Sequence, residues 1–234
     1  STSPGATPVP DAEHVSSDAN MWRMVNDVWD AWPHIRNLIE VSRSWYPFIS
    51  PGTWPDCDMI PLGRLSIRGE VGQERMTRLT KDEQYTLMTL FTVFRSPLFF
   101  GGDLPKNDDF TLSLLTNKAV LKMHRESSGV RFLPQEDGKV AITSVNERTK
   151  EIYHALFNIS ETSPVDVTVN LTDLNLKGNV RITNLWSGVK MGIFKDHFTQ
   201  KLNAHASGLY LITASEYAAA FTVFLSSHKN SHRV

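Results

Sequence analysis

At Ser127-Ser128-Gly129 the hydrophobic pattern of this chain changes period, and few architectures accommodate that change. On the N-terminal side apolar residues recur at helical spacing, as in Ile35, Leu38, Ile39 and Trp45 or in Leu87, Leu90, Phe91 and Phe94. Short apolar runs ending in polar or glycine-containing turns separate these stretches, Leu98-Phe99-Phe100 before Gly101-Gly102-Asp103 being one. Strand alternating with helix predicts a parallel sheet covered by helices. On the C-terminal side Val165, Val167, Val169 and Leu171 alternate with polar residues. Turn signals at Asp137-Gly138, Lys177-Gly178, Ser187-Gly188 and Ser207-Gly208 cut this half at the spacing of an antiparallel sandwich. The reading is therefore α/β over 1–128 and all-β over 129–215, with a tail over 216–234. In that tail Tyr217 to Leu225 is apolar but too short to cross a bilayer, and fits a strand, a docking helix or a frayed end equally.

Within the first half the pattern predicts helices over 10–21, with Pro10 in the first turn, and over 33–45. Thr80-Lys81-Asp82-Glu83 forms a capping box before the strongest helix, which Pro97 stops. Asp108 or Asp109 caps a further helix running through Leu114 and Leu115 to Met123. Residues 64–79 read as an arginine-bearing loop, and strands fall at 1–4, 20–26, 52–58 and 98–101. In the second half strands fall at 139–145, 150–158, 165–171, 179–186, 189–194, 197–203 and 208–213.

With 24 basic and 25 acidic side chains among 234 residues, no field suited to nucleic acid or an anionic membrane arises. Cys57 is the only cysteine, so neither an internal disulfide nor a cysteine-based zinc set can form, and Cys57 itself reads as a small buried residue. Asp27, Asp30, Asp56 and Asp58 lack the compact oxygen-rich loop of a hard-cation site, so no metal or other cofactor is expected. Asn158-Ile159-Ser160 and Asn170-Leu171-Thr172 match the N-glycosylation tripeptide but lie in expected strands.

Chemistry concentrates in Trp22 to Asp30, which packs aromatic, cationic and anionic side chains with no period. Arg23 offers a planar fork of donors, while Trp22, Trp29 and Trp32 offer flat apolar faces, a combination suited to a sugar ring. Asp27, four positions on, would be desolvated among indoles and hold a proton near neutral pH, as a general acid does. The plainer alternative is that Asp27 or Asp30 caps the helix near Pro33 and the tryptophans fill a core.

Several stretches together resemble the melibiase-type α-galactosidases and α-N-acetylgalactosaminidases of glycoside hydrolase family 27. They are Ser3-Pro4-Gly5, Trp22-Arg23 with Asp27 and Trp32, Trp54 to Met59 with Pro61-Leu62-Gly63, and Asp82-Glu83-Gln84. Ser96-Pro97-Leu98 with Gly102-Asp103-Leu104, and Leu185 to Gly188 with Gly208-Leu209-Tyr210, complete the set. The resemblance implies a (β/α)8 barrel followed by a β-sandwich, of which this chain holds the second half of the barrel. It implies Asp27 as general acid/base, Arg23 as a substrate-binding arginine, and Asp58 and Met59 as linings of a galactose pocket. Ser3 falls where family members vary a residue near the C2 substituent; Trp22 is expected at the substrate from its flat face alone.

The implied mechanism is double displacement with retention, which needs a second carboxylate as nucleophile. The resemblance places that nucleophile on an earlier strand, so the chain reads as a fragment, inactive by itself, of an enzyme removing terminal α-linked galactose. Other open readings are a non-catalytic galactose-binding protein and a hydrolase of the same fold acting on β-L-arabinopyranosides or α-N-acetylgalactosaminides. Unpaired barrel edges at 1–4 and 98–101 would favour self-association. The resemblance suggests a secreted, periplasmic or lysosomal enzyme, while the residues themselves leave the compartment open.

Overall fold

The computed structural model describes residues 2, 3 and 5–215. The expected tail, with Tyr217 to Leu225, lies outside the described residues, as do Ser1 and Pro4 of the first expected strand.

In chain order the first half comprises α1 (Ala12–Asp18), β1 (Met21–Arg23), α2 (Trp32–Trp45), β2 (Trp54–Asp56), β3 (Met59–Ile60), β4 (Arg64–Leu65), β5 (Arg75–Met76), α3 (Lys81–Phe94), β6 (Phe99–Phe100), α4 (Asp109–Leu115) and α5 (Lys118–Glu126). Thr2 bridges Trp22 in parallel, β1 runs parallel to β2, and β3 runs parallel to β6. This is part of a barrel wall with helices on its outer side. Helix α2 turns Ile35, Leu38, Ile39 and Trp45 inward, as its spacing demands. Helix α3 starts at a complete capping box, Thr80 N–H donating to Glu83 at 2.8 Å and Glu83 N–H to the Thr80 hydroxyl at 3.3 Å. It ends at Arg95, whose φ of 65° closes the last turn before Pro97.

The second half comprises β7 (Ser128–Leu133), β8 (Lys139–Val145), β9 (Ile152–Asn158), β10 (Val165–Asn170), β11 (Val180–Asn184), β12 (Lys190–Phe194), β13 (His197–Leu202) and β14 (Ser207–Ala214). A six-stranded antiparallel sheet runs β12-β11-β14-β9-β8-β7, and β10 pairs with β13 to make the facing layer. The inner strands β8, β9 and β14 of the large sheet are buried on both faces. Leu133, Ala141, Leu156, Tyr210 and Ile212 pack on Val167, Val169 and Phe198 of the small sheet. Val140, Ile142, Ala155, Phe157 and Leu209 instead join the core of the first half.

Several local expectations need correction. The first helix is shorter than 10–21, because Met21 belongs to β1. The loop 64–79 contains the small antiparallel hairpin β4/β5. The helix expected from 108 to 123 is two helices, because the Asn117 side chain accepts from Ala119 N–H and Val120 N–H and starts a new one. Strand β7 was not expected, since Gly129 and a shift in register between Ser128 and Arg131 obscure its alternation.

The two halves meet along α3 and at His205. The Thr86 hydroxyl donates to the His205 carbonyl at 2.6 Å, and Trp186 Nε1 donates to Thr89 Oγ1 at 2.9 Å. The His205 ring stacks on Trp32 with centroids 3.8 Å apart, and its Nδ1 lies 2.8 Å from Glu83 Oε1. Replacing His205 by Ala removes the stack and the hydrogen bond while leaving a left-handed backbone, which should cost about 2 kcal/mol in urea unfolding at neutral pH. A change below about 0.5 kcal/mol would show that His205 does not hold the joint.

Candidate active site

In parallel barrels functional groups gather at the C-terminal ends of the strands. Here β1 ends at Arg23 and β2 at Asp56, and the two are paired in register. The turn after β2 puts Asp58 at φ 73°, a conformation that few non-glycine residues hold. Asp56 Oδ1 accepts from Asp58 N–H at 3.0 Å, and Ser96 Oγ accepts from Cys57 N–H at 2.9 Å, so the turn is fixed on both sides of Asp58 and Cys57. Asp58 is thereby aimed back at the first strand. Its Oδ1 receives Arg23 Nη1 at 3.0 Å, and its Oδ2 accepts Val28 N–H at 2.7 Å.

The loop 24–31 is braced at nearly every residue. Met24 N–H donates to the Asp56 carbonyl at 3.1 Å, and Asn26 Oδ1 accepts Ala6 N–H at 3.1 Å. His34 Nδ1 accepts Trp29 N–H at 2.8 Å, which fixes the proton of a neutral His34 ring on Nε2. Asp30 is fully buried and takes Arg75 Nε at 3.0 Å, Arg78 N–H at 2.9 Å and Arg78 Nε at 3.1 Å. Burial alone would raise its pKa, but the hydrogen bonds from Arg75 and Arg78 outweigh that and hold it at about 2, below the ordinary 3.8. Asp27 stands out from this scaffold: its carboxylate is 81% exposed and meets Arg23 Nη2 at 3.3 Å.

Arg23, Asp27 and Asp58 thus converge, although Asp58 comes from the turn that follows a different strand, β2. Arg23 is largely buried, and its Nε has no hydrogen-bond partner among the described residues. Met59 lines a neighbouring hollow of about 310 Å³ with Trp29, Arg64, Ile67 and Asp103, while Asp27 lines one of about 290 Å³ with Asn26, His34 and Asn37. Ser3 is exposed. Asp56 is buried, and desolvation raises its pKa to about 6.

Trp22 is not a sugar platform. One position before Arg23 on a strand places it on the opposite face, where it is completely buried with its ring 5.8 Å from that of Trp45. For the same reason Asp27 is not enclosed by indoles as expected: Trp22 points away and Trp32 is stacked on His205. Trp54 sits at the start of β2, the far end of the strand, under Arg95. Neither Asp27 nor Asp30 caps α2, whose N-cap is Ala31 without a side-chain bond. The Asp30 clamp and the His34 brace were invisible in sequence, their only trace being the paired arginines Arg75 and Arg78 in the loop. Asn158 is fully buried and donates to Ser163, Leu202 and Asn203 carbonyls, so it offers no glycan acceptor in the fold.

The family model for α-galactosidase A matches residues 3–126. The chain belongs to the α-galactosidase A family, glycoside hydrolase family 27. A second model of the family, for the α-galactosidase C-terminal β-sandwich domain, matches residues 132–212. Among solved family 27 structures, a β-L-arabinopyranosidase from Geobacillus stearothermophilus is 40% identical with a TM-score of 0.87, covering 91% of this chain and 49% of that one. A structure described as a putative α-N-acetylgalactosaminidase from Bacillus halodurans is 35% identical with a TM-score of 0.76, covering 82% of this chain and 45% of that one. α-Galactosidase 2 of Arabidopsis thaliana is 24% identical over 197 residues, 83% of this chain and 46% of that protein. The chain therefore spans about half the length of these relatives, and its fold is a family 27 barrel portion with the C-terminal sandwich. Among the described residues no helix is long and apolar enough to cross a membrane.

The Asp30 clamp should be a main determinant of acid stability. Asp30→Asn leaves Arg75 and Arg78 without their partner and should cost about 3 kcal/mol at neutral pH, the low end for a buried pair because Arg78 is exposed. Because its folded pKa lies below 3.8, the Asp30 contribution is present above that pH and lost as pH falls toward about 2. Acid titration of stability should accordingly be flatter in the variant over that window, and an unchanged slope would contradict the clamp.

Proposed function

We propose that this chain forms the acid/base-bearing part of a retaining glycoside hydrolase that removes terminal α-linked galactose. In this reading 1–128 supplies the second half of the catalytic barrel and 129–215 an accessory sandwich. The observation that supports it most is the convergence of Arg23, Asp27 and Asp58 at the strand ends. Asp27 is the one exposed carboxylate of its loop, and so the one within reach of a leaving oxygen.

The chemistry follows from what each group can still do. Asp27 donates a proton to the departing oxygen, then accepts one from water in the second displacement. Arg23 fixes sugar hydroxyls with its unshared donors, and Asp58 keeps Arg23 in place while lining the same pocket. Met59 and Ser3 complete the contact, Ser3 near the C2 substituent. Retention needs a second carboxyl about 5–5.5 Å from the first. Asp58 is unsuited to it, since both its oxygens already accept hydrogen bonds. We assign the nucleophile to the part of the relatives that this chain does not match.

One observation favours a second reading. Identity to the Geobacillus β-L-arabinopyranosidase is 40%, whereas the Arabidopsis α-galactosidase stands at 24%. L-Arabinopyranose presents the same ring hydroxyls as galactose without the hydroxymethyl group, so one pocket could serve either sugar. Parallel assays with a chromogenic α-galactoside and a chromogenic β-L-arabinopyranoside separate the two.

Purified 1–234 should turn over neither substrate, whereas a chimera joining it to the unmatched portion of the Geobacillus enzyme should be active. In that chimera Asp27→Ala should lower turnover about 10²–10⁴-fold while sugar binding is partly kept. Turnover by the chain alone, or an undiminished Asp27→Ala chimera, would refute the reading. The same reading has the chain self-associating, because β6 pairs only with β3 among the described residues and its Phe99 is half exposed. Light scattering should then report a mass above that of the monomer, and a clean monomer at micromolar concentration would count against association.

A further inference from the structure

We infer that Asp56 is a positioning residue for the sugar grip, its buried carboxylate fixing the turn that holds Asp58 against Arg23. The inference deepens the glycosidase reading above and rests on it.

Asp56 is the hub of the turn that carries Asp58. It is the register partner of Arg23, its carbonyl accepts Met24 N–H at 3.1 Å, and its carboxylate accepts Asp58 N–H at 3.0 Å. The last bond holds Asp58 in a left-handed conformation from which both of its oxygens reach Arg23 and Val28. The charged groups facing Asp56 are Asp58 after it and Arg23 across the strand pair, and from the α3–β6 connection the Ser96 hydroxyl bonds the next residue's N–H, that of Cys57. Among the described residues no cation lies within ion-pairing distance of the Asp56 carboxylate, so its charge is offset only by the Asp58 N–H and the more distant Arg23.

That charge works against the fold. Desolvation dominates, the Asp58 N–H opposes it, the Asp58 charge adds to it and Arg23 opposes it, leaving the pKa raised from 3.8 to about 6. With a raised folded pKa, the stabilising contribution is complete below 3.8 and lost as pH rises through about 6. At neutral pH the ionised group is therefore a burden that a neutral amide would not impose. An Asn in its place can still accept the Asp58 N–H. A residue kept charged at the expense of stability, beside the arginine of the site, points to a role in function rather than in packing.

The test combines a measurement on the chain as it stands with one on the active chimera. Carboxylate ¹³C NMR of Asp56 and guanidinium ¹⁵N NMR of Arg23 in 1–234 should show a shared inflection. An Arg23 signal that stays flat through the Asp56 titration would overturn the proposal. Asp56→Asn should melt no lower than wild type at pH 7 and should lose the gain in stability that wild type shows on mild acidification. In the chimera the same substitution should raise KM about tenfold with kcat changed less than about twofold, and should abolish the inflection in the pH profile of KM. An unchanged KM and pH profile would overturn the proposal. If Asp56→Asn does not fold, the Arg23 response decides alone. If Arg23 follows Asp56 but no chimera is active, the coupling stands and the glycosidase reading fails.

Discussion

Helix α3 is the constraint on which the rest of the structure depends. Its residues Thr86 to Phe94 are buried essentially all round, because one side packs on the barrel wall and the other on the large sheet of the sandwich. A helix of this kind cannot be satisfied by one layer alone. Its threonines manage the polar cost: Thr92 bonds back to the Met88 carbonyl, while Thr86 and Thr89 reach across to the sandwich. The shared core explains why the large sheet is apolar on both faces and why β8 and β9 read as almost unbroken buried strands.

The site shows a different economy, in which rigidity is concentrated around one free group. Backbone donors at Met24, Val28 and Trp29 and the side chains of Asn26 and Asp30 are all committed, and Asp27 remains exposed among them. Under the proposed function this suits a proton donor, which must reach substrate and then water from a fixed backbone with an exposed carboxyl. Asp56 and Asp58, separated by one residue, illustrate how environment divides labour: one is buried and braces the turn, and the other, partly exposed, pairs with Arg23.

What the sequence disclosed follows from locality. The capping box of Thr80 and Glu83, the inward stripe of α2 and the alternating strand around Val167 are set by neighbours a few residues away, and each was legible. The break at Asn117 was hidden because an apolar run continues past it from Phe110 to Leu121. Hairpin β4/β5 has strands of only two residues each, too short to leave a period. At the site, Arg23 and Asp27 were visible together because they share one turn of chain. The partners of Asp30 lie 45 and 48 residues away, beyond any local pattern. Trp22 misled because aromatic composition near charged residues says nothing about which strand face a side chain occupies.

The backbone at Asp58 also limits how this surface can change over generations. Glycine would adopt a φ of 73° without strain but would abandon the carboxylate that anchors Arg23 and Val28. A β-branched or bulky replacement would strain the turn itself. Asparagine tolerates the geometry yet brings one acceptor where two are used. Change is therefore easier to accommodate around this corner, in hollows such as the one lined by Met59, Ile67 and Asp103, than at it.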